Sequence, residues 1–356
     1  MNFFPLKYTS SKVLIPLCLL LSISSTVYAE EDKLKFSGFA RVIIGYLDDK
    51  NAEYVGYDNS LSIDKQSLFA LQADYKFSDD FSLTGQVIAH TDEQRQSGLE
   101  WLYLTYQPNN SLQVKLGRQR IPFFNYSDSL DVGFAYPWLT LPQQFYDSAF
   151  FATFDGILAN YEFSINDWLI NYEGYWGRFD GTIYTSDSEI DTKAIGLYGA
   201  NVSVSYENFT VRASYNEGDV SIEQTDVEEF SQQLRQFGFI NNANWLNTSG
   251  LIQFYHFSVN YENLDYFFRS EVSKLVGGSG LLPDINSFYV SAGYNFAPYT
   301  AYISYSKKDL YYKHAVNEIP YGLSPDLDML AGGYDAITTS FADDQSTGIK
   351  LVPVGI

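Results

Sequence analysis

Apolar and polar residues alternate along most of the chain, in stretches of about ten residues. In the stretch 81–90, Phe81 and Val87 share one face with other apolar residues, whereas Thr84 and Gln86 lie on the opposite face. A period of two indicates a β-strand with one apolar face, and about ten residues is the length that a tilted strand needs to cross a lipid bilayer. The pattern predicts thirteen strands, over residues 34–47, 64–77, 81–90, 99–107, 112–121, 155–164, 168–179, 194–206, 209–216, 251–261, 264–276, 287–296 and 299–310.

The segments between the predicted strands are short and long in turn. The short ones contain residues that favour chain reversal, as at Asn166-Asp167, Glu207-Asn208 and Ala297-Pro298. The long ones are polar and occupy residues 48–63, 92–98, 122–154, 180–193, 220–250, 277–286 and 311–345. Short turns at one end and long loops at the other are typical of an antiparallel up-and-down β-barrel. Within one long segment, apolar residues at helical spacing predict a short helix over 228–237.

The composition favours a barrel in a membrane over a soluble β-protein. Aromatic residues make up 17% of the chain, yet its formal charge is −21, and no segment after the N-terminus is apolar enough for a membrane helix. A barrel reconciles these features because its outer face is apolar and aromatic while its interior and loops are polar. Rings beside the short turns, such as Tyr75 and Phe77, predict an aromatic belt. A soluble β-sandwich explains neither the strand length nor the alternation of turn lengths.

The first 29 residues have the layout of a secretory signal peptide. Two lysines precede an apolar stretch, and small or polar residues lead to Ala29, which predicts cleavage before Glu30. The only cysteine, Cys18, lies in this segment, so no disulfide is expected in the mature chain. Loss of the two lysines makes the formal charge more negative by two units. We predict that residues 30–356 form one barrel domain.

Residues 346–356 predict a fourteenth strand that is interrupted at Pro353. Bacterial single-chain barrels have even strand numbers, and the last strand of such barrels usually ends on an aromatic residue, whereas this sequence ends on Ile356. We therefore expect a sequence that lacks about two strands of a sixteen-strand barrel. A complete fourteen-strand barrel is the alternative.

Charged residues within the predicted strands are expected to face the barrel interior. On the lipid face, Arg or Lys at mid-membrane costs about 2–4 kcal/mol. Extending the alternation gives five basic and three acidic candidates for the pore lining: Lys35, Arg41, Lys115, Arg212, Arg269, Glu162, Glu173 and Glu271. This mixture does not decide between cation and anion selectivity.

The long segment 122–154 is unusually apolar for a loop, since it contains several phenylalanines, Trp138 and three prolines. A loop surrounded by water gains nothing from such rings, so we predict that it folds into the barrel and packs against the wall. Its carboxylates would then face basic residues across a constriction, which gives the candidates Asp128, Asp131 and Asp147, with Arg118 and Arg120. Opposed charges at a constriction filter ions, although ordinary loop salt bridges explain each single residue equally well.

The sequence KLGRQRIPFFNYSDSLDVG, from Lys115 to Gly133, resembles the Gram-negative porin superfamily, in which a similar strand leads into a long loop folded back into the barrel. The strand rhythm and the signal segment agree with this resemblance. It implies a water-filled outer-membrane channel, commonly trimeric, for passive diffusion of small hydrophilic solutes and ions. The expected partners are outer-membrane lipid and lipopolysaccharide, and the expected route is export through the periplasm.

Two other functions stay open, namely a substrate-selective channel and a barrel without a channel that acts as a rim enzyme or an adhesin. His90, with Asp92 and Glu93, is the constellation that suits an enzyme, but a relay histidine also needs a positioned nucleophile or water, and we predict no catalytic residues. Three histidines and a strongly acidic chain argue against a metal centre, a cofactor or nucleic-acid binding. Acidic loop residues such as Asp326 and Asp328 leave a calcium site open.

Overall fold

The computed structural model describes residues 33–343 except 49, 51–55, 93–94, 147–150 and 185–188, together with 354–355. The predicted signal peptide and Asp147 lie outside the described residues. The strands are β1 (Leu34–Arg41), β2 (Leu68–Lys76), β3 (Phe81–His90), β4 (Gly98–Tyr106), β5 (Leu112–Arg120), β6 (Thr153–Ile165), β7 (Trp168–Tyr184), β8 (Glu189–Tyr206), β9 (Phe209–Ile222), β10 (Ser249–Glu262), β11 (Tyr266–Val276), β12 (Asp284–Phe296), β13 (Tyr299–Tyr311) and β14 (Val354–Gly355). The helices are α1 (Gln143–Tyr146), α2 (Thr225–Gln236), α3 (Ile240–Trp245) and α4 (Pro325–Asp343), and Ser127–Ser129 forms a 3-10 turn.

All of these strands join one antiparallel sheet in chain order. Each strand therefore pairs with its neighbours in sequence, which is the up-and-down arrangement and confirms the predicted fold class. Three hairpins turn over two residues, and in two of them Asn166 and Glu207 adopt the left-handed conformation at φ 51° and 48°. Such turns match the right-handed twist of the strands. The short β14 pairs with β13 and lies in the segment where a fourteenth strand is predicted.

Contacts of the β5–β6 connection show that the sheet curves into a barrel. Tyr136 accepts a hydrogen bond from Arg41 of β1 at 3.2 Å, and Trp138, two residues later, donates to Ser304 of β13 at 3.0 Å. Strands from the two ends of the ladder thus lie around the same loop, which a flat sheet does not allow. Within the described residues β1 pairs with β2 alone, so ladder hydrogen bonds do not join the two ends there.

The inner face of the sheet is the side on which the β5–β6 connection lies, and the opposite side is the outer face. Large apolar side chains on the outer face are exposed, for example Phe36 at 67%, Trp176 at 62% and Ile303 at 57%. Rings meet beside the short turns, as where the centroids of Trp168 and Tyr206 lie 4.6 Å apart. An apolar outer face around a polar inner face suits a lipid surrounding rather than water.

Strand lengths differ from the prediction at the ends near the long loops. β7 continues to Tyr184 and β8 begins at Glu189, so much of the segment predicted as a loop over 180–193 is strand, whereas β1 ends at Arg41 instead of residue 47. The extension of the β7–β8 hairpin contains polar residues such as Asp180 and Lys193, so its sequence does not show the alternation that predicts a strand. Alternation reveals a strand only where one of its faces is apolar.

The long connections contain helices that the sequence pattern predicts only in part. α2 covers most of the helix predicted over 228–237, whereas α3 and α4 lie in segments predicted as loops. Leu234 of α2, Leu246 and Tyr334 of α4 are almost fully buried in a small apolar core that these helices share. Because this core joins two loops distant in sequence, no local pattern shows it. Among the described residues, no helix has both the length and the apolar character needed to cross a membrane.

Candidate channel and its inner loop

The described part of the β5–β6 connection, residues 121–146 and 151–152, packs against the inner face of the barrel, and we call it the inner loop. Its rings contact rings of the distant wall: the centroids of Phe123 and Phe254 lie 5.0 Å apart, and those of Phe145 and Tyr289 lie 5.3 Å apart. Phe145 is fully buried. Removing these rings from water stabilises the folded position of the loop.

Glu271 of β11 is at the centre of the contact between the inner loop and the wall. Its buried carboxylate accepts hydrogen bonds from the hydroxyls of Tyr146 and Tyr289, the latter at 2.7 Å, and from the backbone N–H of Asn125 at 3.0 Å. His256 Nε2 lies 2.7 Å from the same carboxylate. A buried carboxylate is tolerated when hydrogen bonds satisfy its oxygens. Here the loop and the wall supply them together, and we call these five residues the Glu271 cluster.

A second attachment holds the start of the inner loop. Arg212 of β9 donates from Nη1 and Nη2 to the carbonyl oxygens of Phe124 and Pro122, both at 2.5 Å. The side-chain amide of Asn201 on β8 donates to the Pro122 carbonyl at 3.2 Å and to the Glu173 carboxylate at 2.8 Å. Arg212 and Glu173, both predicted pore-lining residues, therefore lie on the inner face, and the guanidinium of Arg212 binds the loop backbone.

The inner loop also covers Arg269. The guanidinium of this residue lies 5.4 Å from the ring centroid of Tyr126 and 5.8 Å from that of Trp138, and its Nη2 is 2.5 Å from a carboxylate oxygen of Glu262. Aromatic faces attract cations. Arg269 and Arg41, which donates to Tyr136 of the loop, thus face the interior as the alternation predicts, but both contact the loop.

Arg120 and Asp131 are brought together at the end of β5. Arg120 Nη2 lies 2.5 Å from Asp131 and 2.6 Å from Glu100, and Arg95 Nη2 lies 2.9 Å from the other carboxylate oxygen of Asp131. Burial acts to raise the pKa of the Asp131 carboxyl, but the guanidiniums of Arg120 and Arg95 outweigh it and hold this pKa well below its usual range. These four residues form an ion network between the wall and the inner loop, in which Arg120 and Asp131 are buried and the side chain of Arg95 is 40% exposed.

The wall formed by β1–β5 presents a polar inner face. Asp74 accepts a hydrogen bond from the Thr84 hydroxyl at 2.6 Å, and the Lys115 ammonium lies 5.1 Å from the ring centroid of Tyr103. Asp128, in the 3-10 turn of the inner loop, is exposed and lies within electrostatic range of Tyr103. The Asp128 carboxylate of the loop and the Lys115 ammonium of the wall therefore both lie near Tyr103, in the same polar region of the barrel interior.

The remaining predicted residues divide between the two faces. Lys35 lies on the inner face of β1, and Glu162 lies on the inner face of β6 towards the short turns. Arg118 departs from its predicted place at the constriction, because the ladder pairs it with Asp155 on the outer face. Neighbouring residues of a strand point to opposite sides. Its nearness in sequence to the loop did not reveal this orientation.

Several residues that hold the inner loop carry no distinctive sequence signal. Trp138 Nε1 donates to the hydroxyls of Ser291 and Ser304, at 2.9 and 3.0 Å. Alternation places both serines on the inner face, but serine is common there and gives no reason to single out two of them.

The His90, Asp92 and Glu93 group, considered above for an enzyme, is only partly described, since Glu93 lies outside the described residues. The backbone N–H of His90 donates to the Ser97 hydroxyl at 2.9 Å. No metal-binding group of three or more His, Asp or Glu side chains occurs in the described part of the chain.

A curved antiparallel sheet with an apolar outer face, a polar inner face and a loop inside it defines a membrane β-barrel of the channel type. The profile of the Gram-negative porin family matches residues 17–335, and the chain belongs to this family. It is accordingly an outer-membrane channel, and the family and the fold indicate a channel rather than an enzyme.

Several solved structures are similar to this chain. The outer-membrane channel DcaP of Acinetobacter baumannii is 10% identical with a TM-score of 0.48, over 80% of this chain and 81% of that one. OmpF of Salmonella typhi, in complex with daunomycin, is 13% identical with a TM-score of 0.48, over 78% and 79% of the two chains. OmpT of Vibrio cholerae is 12% identical with a TM-score of 0.40, over 90% and 94%. No curated protein sequence matches the chain significantly.

Proposed function

We propose that this porin is a water-filled channel for the passive diffusion of small hydrophilic solutes and ions, with the inner loop as its constriction. The observation that carries the proposal is the position of the loop inside the barrel. The Glu271 cluster and Arg212 bind it to the inner face of β9–β12, and Arg120 and Arg41 bind it from β5 and β1. Asp128 of the loop stays exposed near the polar inner face of β4. A loop fixed in this way narrows the pore and leaves a polar path beside Asp128.

The charges near this path favour cations over anions. The guanidiniums of Arg41, Arg212 and Arg269 contact the inner loop, which shields them from passing ions. The carboxylates near this path include Asp74 of β2, Asp128 of the inner loop and Glu173 of β7, and they lie beside the ammonium groups of Lys35 and Lys115. Acidic side chains at a pore attract cations and repel anions, and the strongly acidic composition of the chain adds to this preference.

Conductance across a planar bilayer tests the proposal. Purified full-length protein is expected to give steady ionic steps, with a reversal potential in a salt gradient that shows preferential passage of cations. Permeation rates for uncharged sugars are expected to fall smoothly with solute size. Block by one solute alone would instead indicate a substrate-selective channel. Folded protein without conductance would contradict both channel functions.

Replacing Asp128 with asparagine is expected to shift the reversal potential towards anions. At about 8 Å in water a unit charge contributes about 0.5 kcal/mol, which corresponds to a roughly twofold change in the cation-to-anion permeability ratio. Lys115→Gln is expected to shift the ratio in the opposite direction. The matched control is Asp167→Asn, which removes the same charge from a two-residue turn. Equal shifts from Asp128→Asn and Asp167→Asn would contradict a selectivity role for Asp128.

Homotrimeric assembly and export with a cleaved signal peptide belong to the same proposal, and both rest on the membership of the porin family and the N-terminal pattern. Chemical cross-linking of the protein in native outer membranes is expected to yield a trimer band. N-terminal sequencing of the mature protein is expected to begin at Glu30. A monomer band alone, or a mature chain that retains residues 1–29, would contradict the corresponding part.

A further inference from the structure

Three charged residues lie side by side on the outer face of adjacent strands: Arg118 of β5, Asp155 of β6 and Arg178 of β7. The ladder pairs Arg118 with Asp155, and Asp155 with Arg178. Arg118 donates from Nε and Nη2 to the two carboxylate oxygens of Asp155, at 2.9 and 3.1 Å. The side chains of this ion pair are 40% and 38% exposed. Arg178 is exposed as well, on the side of the sheet opposite to the inner loop.

These charged residues mark one edge of the apolar band on the outer face. In the next row towards the short turns lie Leu116, Ile157 and Trp176, which are 58%, 41% and 62% exposed. In the other direction the outer face of β7 continues with Asp180 and Thr182. A charged side chain on the lipid face costs far less near the interface than at the membrane centre. The row of charges therefore lies at the level of the headgroups, at the end of the barrel that carries the long loops.

The charges of this row do not balance. One carboxylate stands between two guanidiniums, so the row has one positive charge in excess. A surface ion pair accounts for Arg118 with Asp155, but it does not account for a second arginine at the same level on the next strand. Guanidinium is the group best shaped for phosphate, which it binds with two parallel hydrogen bonds.

We propose that Arg118 and Arg178, the outer arginine pair, bind a phosphate group of lipopolysaccharide in the outer leaflet. Asp155 orients Arg118 by binding its Nε and Nη2, which leaves Nη1 for a ligand. Arg178 approaches the same phosphate from β7, on the other side of β6. The site lies on the opposite face of the sheet from the channel, so it is independent of what the channel transports.

Binding of lipopolysaccharide to the full chain in detergent micelles tests the proposal. The affinity of the unmodified protein and of the double variant Arg118→Gln and Arg178→Gln is measured with fluorescently labelled lipopolysaccharide. The double variant is expected to bind about tenfold more weakly, as when a charge-assisted hydrogen bond is lost. Lys193→Gln is the matched control, since it removes a positive charge from the outer face of β8 beyond the apolar band. This control is expected to leave the affinity unchanged.

Replacing Asp155 with asparagine gives an effect of the opposite sign. The excess charge of the row rises from one to two while the shape of the side chain is kept, so lipopolysaccharide is expected to bind several-fold more tightly. Weaker binding to Asp155→Asn would show that the row has only a structural role, and it would overturn the proposal. The resistance of each variant to heating before gel electrophoresis shows that its barrel is folded.

The chemical source of the phosphate is tested with two further ligands. Lipopolysaccharide from which the phosphates have been removed is expected to bind the unmodified protein as weakly as normal lipopolysaccharide binds the double variant. Phosphatidylglycerol is expected to compete poorly. Equal affinity of the unmodified protein and the double variant would overturn the proposal, as would equal loss in Lys193→Gln. Loss of oligomers with unchanged lipopolysaccharide binding would assign the pair to an interface between copies of the chain, which also overturns it.

Discussion

Replacing Glu271 with alanine is expected to release the inner loop from the wall and to increase the single-channel conductance. Four groups direct hydrogen bonds at this buried carboxylate or lie within hydrogen-bonding distance of it, and two of them belong to the loop. Removing one partner of a buried charged contact costs about 3–5 kcal/mol, because the other groups stay buried without partners. The loss destabilises the docked position of the loop, so recordings are expected to show larger and fluctuating current steps.

Two further variants distinguish release of the loop from a general disturbance of the barrel. Glu271→Gln keeps an oxygen acceptor and the shape of the side chain, so it is expected to change the conductance less than Glu271→Ala. Glu162→Ala removes an exposed inner-face glutamate of β6 and is expected to leave the steps steady. Steps of unchanged size and steadiness in Glu271→Ala would show that this cluster does not hold the constriction.

Replacing Arg120 with glutamine is expected to destabilise the folded barrel by about 3–5 kcal/mol, the range observed when one partner of a buried ion pair is removed. The side chain of Arg120 is only 5% exposed and lies between the carboxylates of Asp131 and Glu100. Without its guanidinium, two carboxylates are left close together in a buried position, and Arg95 reaches only Asp131. The midpoint of urea unfolding in detergent micelles measures the loss.

Arg118→Gln is the matched control, because it makes the same substitution two residues earlier on the same strand. Arg118 and Asp155 form an exposed pair, and such pairs contribute about 0–1 kcal/mol. The unfolding midpoint of this variant is therefore expected to stay near that of the unmodified protein. A loss of stability as large as that of Arg120→Gln would show that burial does not separate the two arginines.

Local patterns were sufficient for most of the strands and for the faces of many side chains. The outer face of β3 and the inner position of Lys115 follow from alternation, since a strand with lipid on one side and water on the other needs a period of two. The same rule failed where both sides are polar. The part of the β7–β8 hairpin beyond Asp180 shows no alternation, and this part was predicted to be a loop.

The candidate site was predictable only in outline. The rings of residues 122–154 showed that this segment does not lie exposed in water, and the pairing of Arg120 with Asp131 followed from the same expectation. The orientation of Arg118 did not, because nearness in sequence to a loop says nothing about the side of the sheet. The shared apolar core of α2 and α4 was equally invisible, since each helix supplies only part of it.

The sequence by itself therefore determined a transmembrane barrel, its order of turns and loops and the identity of its inner loop, because each of these depends on the period or composition of one continuous segment. The tertiary structure decided which wall receives that loop and which charges it covers. Glu271, Tyr146 and Asn125 come from distant parts of the chain, and only the curvature of the sheet brings them together. Burial of a carboxylate is favourable only when all of its partners are present at once. No single stretch of the sequence shows that all of these partners meet at one carboxylate.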